Sequence, residues 1–250
     1  KDSVPVLNCD LLSQVYPEAS KKSKEDDVFR EQAQAATFDL QNRRPGYIAL
    51  WKEIMRVSIA DLKKSYQRLN VDFDLWYGES DADAYVDELM RILTQKELLR
   101  ESEGALVVDV EKESDKAPMP PIIIKKSDHS NLYATTDLAT LIQRKKDFSP
   151  DRIWYVVDTR QGLHFEQVFR CAEKAGITDG IRPEFLGFGT MNGADGKPYK
   201  TREGGVMRLS DLLDLAENAA LEKLESSAYI KSLSGEEKKQ IAQKVSVAAV

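Results

Sequence analysis

Between Asn131 and Leu224 the chain alternates short apolar runs with longer helix-forming stretches, and this alternation restricts it to an α/β fold. Thr135 to Lys146 reads as a helix. The run Arg152-Ile153-Trp154-Tyr155-Val156-Val157 then reads as a buried-type strand, Leu163 to Ala175 as a helix, Phe185 to Phe188 as a strand and Leu209 to Leu224 as a helix. Strands separated by single helices pair in parallel, and the crossover that joins them is right-handed. In such a sheet, ligands bind beyond the carboxyl ends of the strands. Those ends are therefore the places to look for chemistry.

The earlier part of the chain has a different character. From about Lys22 to Asn42 it is rich in helix formers, and Arg44-Pro45-Gly46 interrupts the pattern. Apolar residues then recur at Ile48, Trp51, Met55, Ile59, Leu62, Tyr66 and Leu69, steps of three and four that draw one stripe and predict a helix facing a core. Asp81 to Arg100 reads as a third helical region with Ser80 as its N-cap. Gly104 to Val110 and Pro121 to Lys125 read as strands joined by a polar loop, the pattern of a hairpin. A boundary is expected near Lys125. Near the end, Ser234 followed three residues later by Glu237 has the form of a capping box.

Composition narrows the class further. A chain of 250 residues can bury a sizeable core, and 42% hydrophobic with 31% charged residues suits a soluble globular protein. No apolar run approaches the roughly 20 residues of a membrane helix, and the N-terminus lacks the apolar region of a signal peptide. Lys1 stands where an initiator Met would, which suggests a cut end or processing. The two cysteines, Cys9 and Cys171, have no CxxC partner and the only histidines are His129 and His164, so neither a zinc site nor a disulfide is expected. The net charge of −6 provides no broad attraction for nucleic acid.

Three segments fall at the carboxyl ends of the expected strands. In the first, Tyr133 and Asp137 are four apart and share one side of a helix that has begun by Tyr133. A phenol and a carboxylate together suit a cationic ligand such as a guanidinium; equally, Thr135 or Asp137 is an ordinary helix cap. The second segment, Asp158-Thr159-Arg160-Gln161, follows a strand directly and leads to His164 and Gln167 in a first helical turn. His164 suits a nucleotide contact or a purely structural role, and no Ser or Cys beside it supports a nucleophilic dyad. The third, Gly187 to Gly205, ends in a stretch that mixes glycines with Lys197, Lys200 and Arg202. It suits polyphosphate binding by a mobile loop, or a solvated hairpin; it is not a P-loop.

Taken together, four blocks in order resemble the arginyl-tRNA synthetases, which are class I aminoacyl-tRNA synthetases. They are Gly78-Glu79-Ser80, Leu132 to Ala139, Tyr155 to Phe165, and Gly187 to Met191 running on to Gly196 to Gly205. The resemblance implies an α/β fold that is the second half of a Rossmann-like parallel sheet preceded by a helical and β insertion. It implies cytoplasmic activation of arginine by ATP with Mg2+, transfer to tRNA(Arg), and no membrane or resident metal. By matching position, Tyr133 and Asp137 would line the arginine pocket, Gln161 would contact the amino-acid end, and His164, Phe188, Gly189 and Met191 would lie by the adenosine. Lys197, Lys200 and Arg202 would belong to the loop that stabilises the leaving pyrophosphate in class I enzymes.

The sequence departs from the family pattern in two ways. Lys197-Pro198-Tyr199-Lys200 replaces a clean KMSK signature, and aligning on the following Arg puts Thr201 where the second lysine belongs. The HIGH motif and the anticodon-reading helical domain are absent from these 250 residues. The division implied by the resemblance is 1–125 as the insertion, 126–225 as the second half of the catalytic domain and 226–250 as a helical tail. The expectation is an internal fragment that does not form arginyl-adenylate alone. The alternatives are a non-catalytic, synthetase-derived binding or interaction module and a generic nucleotide-binding domain.

Overall fold

The computed structural model describes residues 6–127, 131–190, 192, 196, 208–226 and 233–249. The packing divides them into two compact units, one of residues 1–74 with 193–250 and one of residues 75–192.

The first unit is helical. Helix α1 (Cys9–Glu25) and helix α2 (Asp27–Gln41) meet at Asp26, whose carboxylate accepts from the Phe29 backbone N–H at 3.0 Å and so caps α2. The single helical stretch expected from Lys22 to Asn42 is thus cut in two at an Asp that competes for backbone donors. Helix α3 (Pro45–Arg68) starts with a proline, which loses nothing at a position where the N–H has no helical partner. Its predicted stripe is only half-buried: no residue of α3 is fully buried and Leu62 is half exposed, although the helix packs on α1 and α2. Helices α7 (Leu209–Ser226) and α8 (Gly235–Ala249) pack together, burying Leu213 and Ala242. Arg68 ties α3 to α7 through Asp214 at 2.7 Å. The predicted capping box is present: Ser234 N–H donates to Glu237 Oε2 at 2.8 Å, and Glu237 N–H donates to Ser234 Oγ at 3.2 Å.

The second unit holds both sheets. A 3-10 turn (Glu79–Tyr85) leads into helix α4 (Val86–Gln95), so the helix expected over Asp81–Arg100 is shorter at both ends. It stops because Glu97 takes a left-handed backbone (φ 54°) and Leu98 N–H returns to Leu93 O at 3.0 Å. Strand β1 (Leu99–Ser102) follows, pairing antiparallel with β2 (Ala105–Val108), which pairs antiparallel with β3 (Ile122–Lys125). The expected pairing of the two later strands is present; β1 is additional. Helix α5 (Tyr133–Phe148), strand β4 (Arg152–Asp158), helix α6 (Gly162–Lys174) and strand β5 (Arg182–Phe188) then form the predicted parallel pair with its helical crossover, in register from Arg152↔Arg182 to Asp158↔Phe188.

One core joins these elements. Leu89, Leu93, Val108, Ile124, Leu138, Leu141, Val168 and Cys171 are all essentially inaccessible, and residues on both sides of Lys125 contribute. Along β4, Ile153 and Tyr155 face this core while Trp154 and Val156 face outward. Tyr155 packs on Phe165 and Phe169 of α6, with ring centroids 4.8 and 5.3 Å apart. Arg170 of α6 grips Asp115 with two hydrogen bonds (2.5 and 2.8 Å) and reaches Val110 O at 3.2 Å, pinning the loop after β2 to the helix.

Candidate active site

The carboxyl end of β4 is shaped by Asp158. Its carboxylate accepts from the Arg160 backbone N–H at 2.8 Å and from the Arg160 guanidinium at 2.9 and 2.7 Å, which folds Thr159–Gln161 into one 3-10 turn. The guanidinium holds the Asp158 carboxyl below the usual carboxylate range. This acid is therefore occupied locally, and the turn delivers Gln161 to the N-cap position of α6 and His164 to its first turn.

The start of α5 is anchored from below. Thr135 is fully buried and its hydroxyl donates to the Ile124 carbonyl of β3. Leu132 N–H donates back to Thr135 Oγ1 at 3.4 Å. Neither residue weighed as a cap from sequence is the N-cap, which is Leu132; Thr135 answers its N–H from the first turn and Asp137 takes no part. Tyr133 and Asp137 lie on successive turns of α5, and Tyr133 is 64% exposed.

Asp137 and His164 come together. His164 Nε2 lies 2.6 Å from Asp137 Oδ2, joining α5 to α6. The sequence placed these residues in different subsites and did not pair them. Both stand in the opening turns of helices flanking one strand, and that shared position is the signal that could have linked them. Tyr155, which packs on Phe165, has a buried hydroxyl, and burial pushes its pKa up to about 12 against the opposing pull of the Arg144 guanidinium. Arg144, one face of α5 further on, lies over the Tyr155 ring at 5.1 Å.

At the end of β5, Phe188 is exposed and stands opposite Asp158 in the register, while a Cβ added at Gly189 would meet nothing within 4 Å beyond its chain neighbours. A Cβ at Gly187 would come within 2.8 Å of the Phe185 ring and 2.9 Å of Thr159 Cγ2, so only glycine fits there without a shift. Tyr133, Asp137, Gln161, His164, Phe188 and Gly189 thus all stand at helix starts or strand ends of the same parallel unit. Met191, Lys197, Lys200 and Arg202 lie outside the described residues. Among the described residues no group of three His, Cys, Asp or Glu side chains could hold a metal ion.

The family model for the catalytic domain of class I (R) tRNA synthetases matches residues 5–250. The chain belongs to that family. It is 52% identical over 242 residues to the arginine–tRNA ligase of Alkaliphilus oremlandii, covering 96% of this chain and 41% of the relative. It is 50% identical over 243 residues to that of Agathobacter rectalis, with coverage of 96% and 41%. The chain thus spans about two-fifths of the length of these relatives. Among solved structures, the arginyl-tRNA synthetase of Plasmodium falciparum superposes with a TM-score of 0.68 at 20% identity, over 89% of this chain and 37% of that one. The Thermus thermophilus arginyl-tRNA synthetase gives 0.59 at 17% identity, over 84% and 42%. These two likenesses speak for the synthetase fold, and the identity to the ligases speaks for the arginine branch of the family.

Proposed function

We propose that this chain is the part of an arginine–tRNA ligase that recognises arginine and one side of ATP. The observation that carries the reading is the exposed Tyr133 and the carboxylate of Asp137 on successive turns at the head of α5, beside the carboxyl end of β4. A carboxylate and a phenol there suit a guanidinium, whose planar fork of donors matches a carboxylate. Asp137 pairs with the guanidinium, Tyr133 flanks it, and Gln161 meets the amino-acid end. His164, Phe188, Gly189 and Met191 lie along the adenosine.

In the reaction, a carboxylate oxygen of arginine attacks the α-phosphorus of ATP, forming arginyl-adenylate and releasing pyrophosphate. Lys197, Lys200 and Arg202 stabilise the charge that develops on the leaving group. Magnesium arrives with the nucleotide's phosphates, and tRNA(Arg) takes the arginyl group in protein biosynthesis in the cytoplasm. No helix among the described residues is long and apolar enough to cross a membrane.

In chain order we assign 1–125 to a helical and β insertion, 126–225 to the second half of the Rossmann-like catalytic domain with a KMSK-like loop, and 226–250 to a helical tail. The three antiparallel strands would then be an insertion that shares a core with the half it precedes.

Calorimetric titration with arginine, with lysine as control, tests the reading. Binding of arginine but not lysine, abolished by Asp137→Asn, is the expected result; unchanged binding by the variant would remove Asp137 from the pocket. ATP–pyrophosphate exchange tests the companion statement that these 250 residues alone do not make the adenylate, since the HIGH motif is not among them. Clear exchange above background would sink it.

A further inference from the structure

We propose that His164 is a positioning residue for arginine recognition: its imidazole holds the Asp137 carboxylate in the orientation that receives the guanidinium. The inference rests on the arginine reading of Asp137 given above and deepens it.

Asp137 stands in the second turn of α5 with its side chain 28% exposed, where a short acid would otherwise sample several rotamers. The first turn of α6 brings His164 Nε2 to 2.6 Å from one of its two oxygens, Oδ2. A carboxylate only accepts, so Nε2 carries the proton and donates. Such a charge-assisted bond fixes both side chains against each other. The imidazole is steadied in turn by the Phe165 ring, which meets it edge-on with centroids 5.1 Å apart. Each partner is anchored from behind by hydrogen bonds. Thr135 locks the start of α5 to β3, and the Asp158–Arg160 turn sets the start of α6.

One imidazole N–H uses one of about four acceptor positions on a carboxylate. Oδ1 and the second lone pair of Oδ2 remain for a guanidinium, which needs both oxygens for a forked contact. His164 therefore sets the direction in which Asp137 offers itself without occupying it. A histidine that instead filled the guanidinium's own place would compete with arginine, and its removal would tighten binding. The two roles predict opposite signs.

The test is calorimetric titration of arginine into the 250-residue chain without ATP, where a residue serving the nucleotide alone would have no effect. His164→Phe keeps a ring beside Phe165 but has no N–H; His164→Gln keeps a donor but no ring. With melting temperatures checked for each variant, His164→Phe should weaken arginine binding by about tenfold, the loss expected for one hydrogen bond to a charged group, and His164→Gln should recover most of it. Arginine binding that is unchanged or tighter in His164→Phe, or equally weak in both variants, overturns the inference and leaves the pocket reading standing. Failure of the unsubstituted chain to bind arginine overturns the pocket reading, and this inference with it.

Discussion

Phe185 sits between two glycines, and substituting each should move stability in opposite directions. At Gly187 an added methyl would lie 2.8 and 3.0 Å from two carbons of the Phe185 ring and 2.9 Å from Thr159 Cγ2. Carbon atoms prefer about 3.5–4.0 Å, so the overlap is roughly half an ångström or more on two sides. The ring has little room to retreat, because Phe165 packs on it with centroids 5.9 Å apart. Overpacking of this kind costs about 1–3 kcal/mol. Replacing glycine stiffens the unfolded chain and returns about 0.4–1 kcal/mol. Taken at mid-range, the net for Gly187→Ala is a loss of about 1.3 kcal/mol.

At Gly162 the same ring would be met at 3.7 and 3.8 Å, ordinary contact distances, and the residue opens helix α6. Gly162→Ala should therefore stabilise by about 0.5–1 kcal/mol. Urea unfolding followed by tryptophan fluorescence reads both. At slopes of about 1–3 kcal/mol/M, the Gly187 variant should lower the midpoint by several tenths of a molar or more, and the Gly162 variant should raise it. Gly187→Ala as stable as the parent chain, or a shift of the same sign in both variants, would refute the account of the slot.

Other tests address the core and its charges. Leu138→Ala removes a fully buried side chain from the centre of α5 and should cost about 2–5 kcal/mol by the same urea assay. The Arg170 guanidinium and the Lys112 backbone N–H hold the Asp115 carboxyl down to about 2. A depressed acid stabilises the fold above its unfolded pKa, and the contribution fades as the pH falls from about 4 to about 2. Acid titration should show that loss in the parent chain and less of it in Asp115→Asn. Cys171 is inaccessible and burial pushes its thiol up to about 12, so a thiol reagent should label native protein at Cys9 and reach Cys171 only on unfolding; a Cys9→Ser variant that still labels at the native rate would contradict this.

The parallel unit was legible because its signals are local. Ile153, Tyr155 and Val157 sit in a run too apolar for a surface strand, and the next fifteen residues carry helical spacing. The body of α5 was legible for the same reason, though the helix begins at Tyr133 rather than Thr135, and so was the Ser234 cap. Two kinds of feature were not. Leu99–Ser102 has the residues of a helix end, and it becomes a strand only because Ala105–Val108 offers it backbone partners across a tight turn, with Glu103 and Gly104 both at positive φ. The Asp137–His164 contact joins residues 27 apart, and its existence depends on how two helices flank one strand. The same holds for the Arg170–Asp115 grip, 55 residues apart in sequence. Side chains that meet only through tertiary packing leave no periodic trace.

The outward face of the parallel pair has a consequence for the chain as a solute. Trp154 and Val156 of β4 and Leu186 and Phe188 of β5 stand side by side with about half of each side chain in water. Parallel sheets are normally covered on both faces. A bare patch of this kind should bind to hydrophobic chromatography resins, and it should lower solubility steeply in ammonium sulfate, which strengthens apolar association. With a net charge of only −6 over 250 residues, little long-range repulsion opposes that contact once salt screens it. Low ionic strength and a pH well above 5.2 are accordingly the conditions in which the isolated chain should stay dispersed.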